Sequence, residues 1–191
     1  MTPARILLAT GNAHKVAEIQ EILGDGWQVE ARDPDIDEAG ATFEENALSK
    51  ARALAGSSGE LAVADDSGIE IDALDGEPGV HSARWTAEGD WVPRVLRELD
   101  GVGPDGRRCR YVCAAAAVWP DEAGGRQVVV RGTVEGMVPE GPRGTGGFGY
   151  DPIMVPVEGD GRTFAEMTEA EKHALSHRGR AFRALAVHLV P

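Results

Sequence analysis

The sequence is poor in cysteine, in aromatic residues and in basic clusters, and it has no long apolar run. Cys109 and Cys113 are its only cysteines, spaced C-x3-C inside RYVCAAAAVW. That spacing matches neither the usual zinc ribbons nor a C-x-x-C redox pair. In a strand the two side chains would share one face about 13 Å apart, at roughly 3.3 Å per residue. A disulfide cannot span that distance, so both are expected to be buried structural thiols. No apolar run approaches the roughly 20 residues that cross a bilayer. The start, MTPARILLAT, lacks the apolar length and small-residue cleavage pattern of a signal peptide. The expected place of action is therefore the cytoplasm, with no membrane partner.

Basic surface is also missing. Acids outnumber bases 32 to 19, for a formal net charge of -13, and the longest basic cluster is Arg107, Arg108 and Arg110. Proteins that grip a nucleic-acid strand carry a positive surface, so polymeric nucleic acid is excluded as a partner. A small anion is not excluded, because a few bases and backbone amides suffice to build a local positive site. A divalent cation suits an acidic chain. What is present is ordinary for a globular protein: 42% hydrophobic and 27% charged residues, in a chain long enough to bury a core.

Strands and helices alternate early. RILLA at 5–9 reads as a buried strand and Thr10-Gly11-Asn12 as a turn; Val16, Ile19 and Leu23 then recur at helical spacing. WQVEA at 27–31 is a second strand, followed by an acidic loop over 32–41. Thr42 with Glu45 forms a capping-box pattern opening a helix through Ala55, which stops at Gly56 and Gly59. LAVAD at 61–65 and IEIDA at 69–73 read as two further strands, and 90–99 as a helix with Pro93 in its first turn. Strands over about 108–119 and 126–136, joined by a turn at Pro120–Gly125, predict an antiparallel hairpin. IMV is a short extended piece. Thr168 with Glu171 marks another capping box, before a last helix striped by Phe182, Leu185 and Leu189. The pattern predicts an α/β fold with a mixed sheet.

Five clusters could carry chemistry. T-G-N-A-H-K at 10–15 lies where a strand ends and a helix begins, a place where free amides and the helix dipole favour phosphate; a plain helix cap with one solvated lysine is the alternative. In Phe43-Glu44-Glu45-Asn46, with Lys50 beyond, a carboxylate and an ammonium near one helix start could hold metal and phosphate, or be a surface ion pair. Asp65-Asp66-Ser67-Gly68 puts two acids after an apolar strand, where they need exposure or a positive partner; an acidic turn capped by Asp65 is the plain alternative. In G-T-G-G-F-G-Y-D-P, Gly144, Gly146 and Gly149 formally fit the dinucleotide fingerprint. That fingerprint must open a helix, and Asp151-Pro152 followed by IMVP cannot. The loop still offers close backbone approach and the rings of Phe148 and Tyr150 for stacking, or else is a hairpin loop with two packed aromatics. Lys172, His177 and Arg178 lie by the break between two helices, where cations also satisfy a helix C-terminus.

In order along nearly the whole chain, ATGNAHK, TFEENALSKA, VADDSG, GEPGVHSARW, GTGGFGYDPI and MTEAEKHALSHRGRA resemble the Ham1/inosine triphosphate pyrophosphatase family. The resemblance implies an elongated α/β fold of two lobes around a mixed β-sheet with flanking helices, the active cleft between the lobes. It implies that residues 1–191 form one such domain, usually assembled as a homodimer. It implies Mg2+-dependent hydrolysis of ITP, dITP and XTP to the monophosphate and pyrophosphate. Carried over by motif, Thr10, Gly11, Asn12, Ala13, His14 and Lys15 would hold the triphosphate, with Lys50 a further phosphate contact. Glu45 and Asp66 would hold the metal, Asp66 also acting as general base, with Ser67 touching substrate and Asp65 in support. Phe148, Gly149, Tyr150, Asp151, Lys172, His177 and Arg178 would contact the nucleoside and base. Selectivity for a 6-oxo purine follows if a donor such as Lys172 meets O6, since adenine would set amino donors against it. Guanine shares the 6-oxo group, so its rejection must involve the 2-position, for which the sequence names no residue.

One segment departs from the family pattern. TAEGDWVPRVLREL, after Arg84-Trp85, is short and lacks an Asn-rich helix start, which leaves the dimer surface open. Two rival functions stand beside the first: a Maf-type pyrophosphatase acting on pyrimidine or modified nucleotides, and a non-catalytic nucleotide-binding regulator.

Overall fold

The computed structural model describes residues 3–34, 36–86, 90–120 and 126–189. In chain order the elements are β1 (Ala4–Ala9), α1 (Ala13–Leu23), β2 (Trp27–Arg32), α2 (Phe43–Ser58), β3 (Ala62–Ile71), α3 (Trp91–Glu98), β4 (Arg108–Val118), β5 (Gln127–Met137), β6 (Val155–Pro156), α4 (Glu169–Leu175) and α5 (His177–Leu189). The strands form one open sheet in the order β2-β1-β3-β4-β5-β6. β1 runs parallel to β2 and β3, while β6 is antiparallel to β5. The sheet is mixed, as the alternation of elements predicts. No helix among the described residues is long and apolar enough to cross a membrane.

Local chemistry sets the boundaries. The Asn12 side chain accepts from the amides of His14 and Lys15 and so opens α1. Thr42 does the same for α2 through the Glu45 amide. α2 runs through Gly56 and ends only at Gly59, whose φ of 68° is the left-handed conformation a helix stop requires. The expected end at Ala55 is thus one turn too early: an interior glycine costs about 1 kcal/mol but does not stop a helix that is paid for by packing. β3 is one strand over Ala62–Ile71, where two were expected. Its Asp-Asp-Ser-Gly centre reads as a turn, yet the acids find cations and Gly68 has no side chain to collide with Ser82 Oγ, which accepts from the Ile69 amide at 3.0 Å. Of IMV only Val155 enters a strand, because Asp151–Ile153 closes a short 3-10 turn.

The expected hairpin is present. Val138 N donates to Arg107 O and Trp119 N to Arg126 O, both at 2.9 Å, joining opposite ends of β4 and β5. Its turn at 121–125, and residues 87–89 of the shortened segment, lie outside the described residues.

The chain divides into two compact units. The first comprises the residues up to Asp66, Cys113–Gly132 and those from Arg178 on. Its core joins Ile6, Leu8, Val63, Cys113, Ala115 and Ala117 from the strands to Ile19 of α1 and Phe182, Leu185 and Leu189 of α5. The opposite side chains of the same strands, Leu7, Ala62 and Ala64, are buried as well, and α2 packs against β1 with Phe43, Ala47 and Leu54 inside. Burial on both faces explains the unbroken apolar runs. The second unit comprises Ser67–Val112 and Thr133–His177, with a separate core of Ile69, Ile71, Val95, Leu99, Tyr111, Val134, Ile153, Met154 and Phe164.

Both cysteines are free and buried, one in each core. Burial pushes the Cys109 thiol up to about 12 and Cys113 higher still, so neither supplies a reactive thiolate. Within the basic cluster Arg107 turns inward. Arg107 donates to the carbonyls of Leu99, Val138 and Pro139 at 2.9–3.0 Å, and Arg110 pairs with Glu70, Asp72 and Glu135.

Candidate active site

In the first unit, β1 and β3 pair with Leu7 opposite Ala62 and Leu8 opposite Val63. Counting on, the loop after β1 comes level with Asp65. That loop is exposed from Gly11 to His14, and Thr10 Oγ1 accepts from the Asn12 amide at 3.1 Å. A groove beside it is lined by Thr10, Gly11, Ala13, Val16, Val29 and Asp33. One turn into α1, Lys15 Nζ lies 3.0 Å from Asp65 Oδ2. The same oxygen accepts from Arg178 at 3.4 Å, and Arg178 also pairs with Glu18. Asp65 and Arg178 are 1% and 2% exposed. Two acids thus balance two bases out of water, which hydrogen-bonded pairing makes tolerable. Although burial alone would raise the Asp65 carboxyl, Lys15 and Arg178 hold it well below the usual carboxylate range.

Asp66, one residue on, points to the other side of the strand and keeps different company. Its Oδ2 accepts from Asn46 Nδ2 at 3.0 Å, and its Oδ1 lies 3.4 Å from Lys50 Nζ. Lys50 also holds Glu38, at 2.5 Å. Burial raises the Asp66 carboxyl above its ordinary value, with Lys50 opposing and Glu38 adding to the rise. Adjacent acids on one strand are therefore driven in opposite directions, because Asp65 has two cations close by and Asp66 shares one with Glu38.

Glu45 stands apart from this group. It is exposed, and its Oε2 accepts from the Ala41 amide at 2.7 Å, closing the start of α2. The loop before α2 lies tight on the helix start: a Cβ on Gly40 would sit 2.6 Å from Asn46 Oδ1, which accepts from the Gly40 amide. That approach brings Glu38 to Lys50. Among the described residues no group of three His, Cys, Asp or Glu side chains is placed to hold a metal. Mg2+ often needs only one or two carboxylates, with substrate phosphates and water completing its shell.

The second unit gathers the other predicted residues. Ser67 is half-buried on β3. The Gly-rich loop opens no helix and leads into the 3-10 turn at Asp151–Ile153. Asp151, 2% exposed, accepts on Oδ2 from the Phe148 amide and from Lys172 Nζ, each at 2.8 Å. Lys172 also lies 4.6 Å over the Phe148 ring. Of the two loop rings, Phe148 stays half-exposed, while Tyr150 is buried near Trp91 with its hydroxyl on Ser82 O at 2.8 Å. His177 begins α5 after the break at Ser176, its ring 4.5 Å from that of Tyr111. Lys172, Phe148, Asp151 and His177 are brought together here. Arg178, next in sequence to His177, belongs to the Asp65 network of the first unit. Sequence reasoning missed Glu38, Asn46 and Tyr111.

An open mixed sheet with a helix-opening loop at the end of a parallel strand, and buried acids and lysines beside it, defines an α/β protein of the class that binds ligands at the carboxyl ends of its strands. The particular family is also shown. The model of the Ham1 family matches residues 6–188, and the chain belongs to that family. It is 50% identical over 187 residues to a dITP/XTP pyrophosphatase of Symbiobacterium thermophilum, covering 95% of this chain and 92% of that one. A dITP/XTP pyrophosphatase of Streptomyces coelicolor is 47% identical over 193 residues, with 95% and 94% covered. Among solved structures, a HAM1 protein from Coxiella burnetii superposes with a TM-score of 0.83 at 37% identity, covering 97% of this chain and 98% of that one. The Ham1 protein of Staphylococcus aureus gives 0.82 at 33% identity, with the same coverage.

Proposed function

We propose that the protein is a nucleoside triphosphate pyrophosphatase that hydrolyses ITP, dITP and XTP to the monophosphate and pyrophosphate, removing non-canonical purines from the nucleotide pool. Similarity of 45–50% to relatives named for that activity supports it. The observation that carries the chemistry is Asp66, held in β3 between Asn46 and Lys50 with its carboxyl raised by burial. A carboxylate whose charge is only partly offset is suited both to a cation and to taking a proton.

The donor set fits Mg2+, a hard ion that takes carboxylate oxygen. Asp66 with Glu38 would hold it, since both already lean on one ammonium; Glu45, the metal ligand that the motif resemblance implies, has its Oε2 on the Ala41 amide. When bound, the ion would lower the pKa of water and offset phosphate charge. The chain's own residues do the rest. Thr10 to His14 present a helix start to phosphate oxygens, and Lys15 adds a cation there. Asp66 takes a proton from the attacking water as its oxygen bonds to the α-phosphorus. The bond from that phosphorus to the bridging oxygen breaks, and Lys15 and Lys50 stabilise the pyrophosphate that leaves. Residues of the second unit serve the base: Phe148 offers a ring face and Lys172 a donor to a 6-oxo group. Adenine would bring amino donors against that ammonium, a mismatch worth about 10⁴ in discrimination. The proposal includes a homodimer, as the motif resemblance implies, at work in the cytoplasm.

The test is pyrophosphate release from dITP, XTP, dTTP and UTP, with and without Mg2+. Release from the purines that requires the ion is expected. Preference for the pyrimidines would favour a Maf-type enzyme, and tight binding of ITP without release would leave only a nucleotide-binding regulator.

A further inference from the structure

Rejection of guanine is the part of the selectivity for which no residue is named above, and the surroundings of Asp151 supply a candidate. Its Oδ2 is occupied by the Phe148 amide and the Lys172 ammonium, and its Oδ1 accepts from the Tyr111 hydroxyl at 3.3 Å. A carboxylate has about four lone-pair sites; with two donors already on Oδ2, Oδ1 without the hydroxyl is the side left to accept a further N–H. Guanine presents such a donor in its 2-amino group. Hypoxanthine carries hydrogen on carbon at that position and xanthine a carbonyl, and neither donates from there.

Tyr111 is fixed where it stands. It is 4% exposed, its ring is stacked 5.8 Å from Phe164 at an interplanar angle of 8°, and the His177 ring lies 4.5 Å from it on another side. The hydroxyl cannot swing away without breaking these contacts. We propose that Tyr111 is a specificity-determining positioning residue: by donating to Asp151 Oδ1 it closes that oxygen to 2-amino purines and keeps the carboxylate turned toward Lys172. The inference rests on the proposed activity toward 6-oxo purine triphosphates and adds to it the residue that disfavours GTP.

The test compares kcat/KM for ITP and GTP in the full chain, by pyrophosphate release. The proteins are wild type, Tyr111→Phe, Asp151→Ala and the double variant. Tyr111→Phe keeps the ring and its packing. It is expected to raise kcat/KM for GTP relative to ITP about fivefold, the size of one hydrogen bond. Asp151→Ala removes the acceptor itself and remains informative should Tyr111→Phe fail to fold; it too is expected to weaken the preference for ITP. Adding Tyr111→Phe to Asp151→Ala should move the ratio no further, because the hydroxyl acts through that carboxylate. Wild type that prefers ITP, with a Tyr111→Phe ratio equal to it, overturns the role of Tyr111 alone; so does a further shift in the double variant. Wild type that releases no pyrophosphate from ITP overturns the activity itself, and the inference with it.

Discussion

Lys15 in the first unit and Lys172 in the second each hold a buried aspartate, but their surroundings differ. Lys15 meets Asp65 at 3.0 Å, and Asp65 is shared with Arg178, which is itself paired with Glu18. Lys172 meets Asp151 at 2.8 Å, and that pair is set among neutral groups that include the Tyr111 hydroxyl, the Phe148 amide and the Phe148 ring. The first arrangement concentrates charge, which suits a polyanion. The second fixes one donor among rings, which suits a flat heterocycle whose edge must be told from similar edges. On the proposed function, charge would set how strongly phosphate is held and the fixed donor which base is accepted.

The largest expected effects separate the neighbouring acids of β3. Asp66→Asn should keep the fold and lower pyrophosphate release by about 10²–10⁴, the usual worth of a general base. Asp65→Ala should act on the fold. It leaves Lys15 and Arg178 short of their buried partner, at a cost of about 3–5 kcal/mol, measured by chemical denaturation. A stable Asp65→Ala, or a fully active Asp66→Asn, would erase the distinction drawn between them.

A smaller effect concerns the exposed start of α4, far simpler in its chemistry. Arg162 and the Thr168 amide and hydroxyl hold the Glu171 carboxyl down at about 2. A depressed acid contributes stability above its unfolded value, near 4.3, and that contribution is lost as pH falls through the folded value. Wild type should therefore lose stability between about pH 4.3 and 2, and Glu171→Gln should flatten that part of the profile of melting temperature against pH. Equal slopes would remove Glu171 from the account.

The parts of the site that were legible in the sequence are those written in local patterns. A strand running into Thr10-Gly11-Asn12 signals a helix start by position alone, and Asn12 caps that helix; the phosphate role given to this loop remains a proposal. Glu45 was named a metal ligand through the family motif, its capping-box spacing pointing only to a helix start. The approach of Glu38 to Lys50 depends on how the loop folds over Gly40, and no periodicity encodes that path. Asp65 and Asp66 looked like a turn because buried acids are costly; their cations come from α1, α2 and α5, distant in sequence. Tyr111 passed as one more apolar strand residue, since only packing reveals that its hydroxyl faces Asp151. The family motifs ran through nearly the whole chain and so named the fold correctly where single elements were misdrawn.

The division between holding phosphate and choosing the base is tested most directly by kcat/KM for ITP and ATP in Lys15→Ala and Lys172→Ala. Lys15→Ala should lower both substrates by the same factor, about ten- to a hundredfold for a lost charged hydrogen bond, and leave their ratio unchanged. Lys172→Ala should collapse the ratio toward unity. A changed ratio in Lys15→Ala, or an equal loss on both substrates in Lys172→Ala, would contradict it.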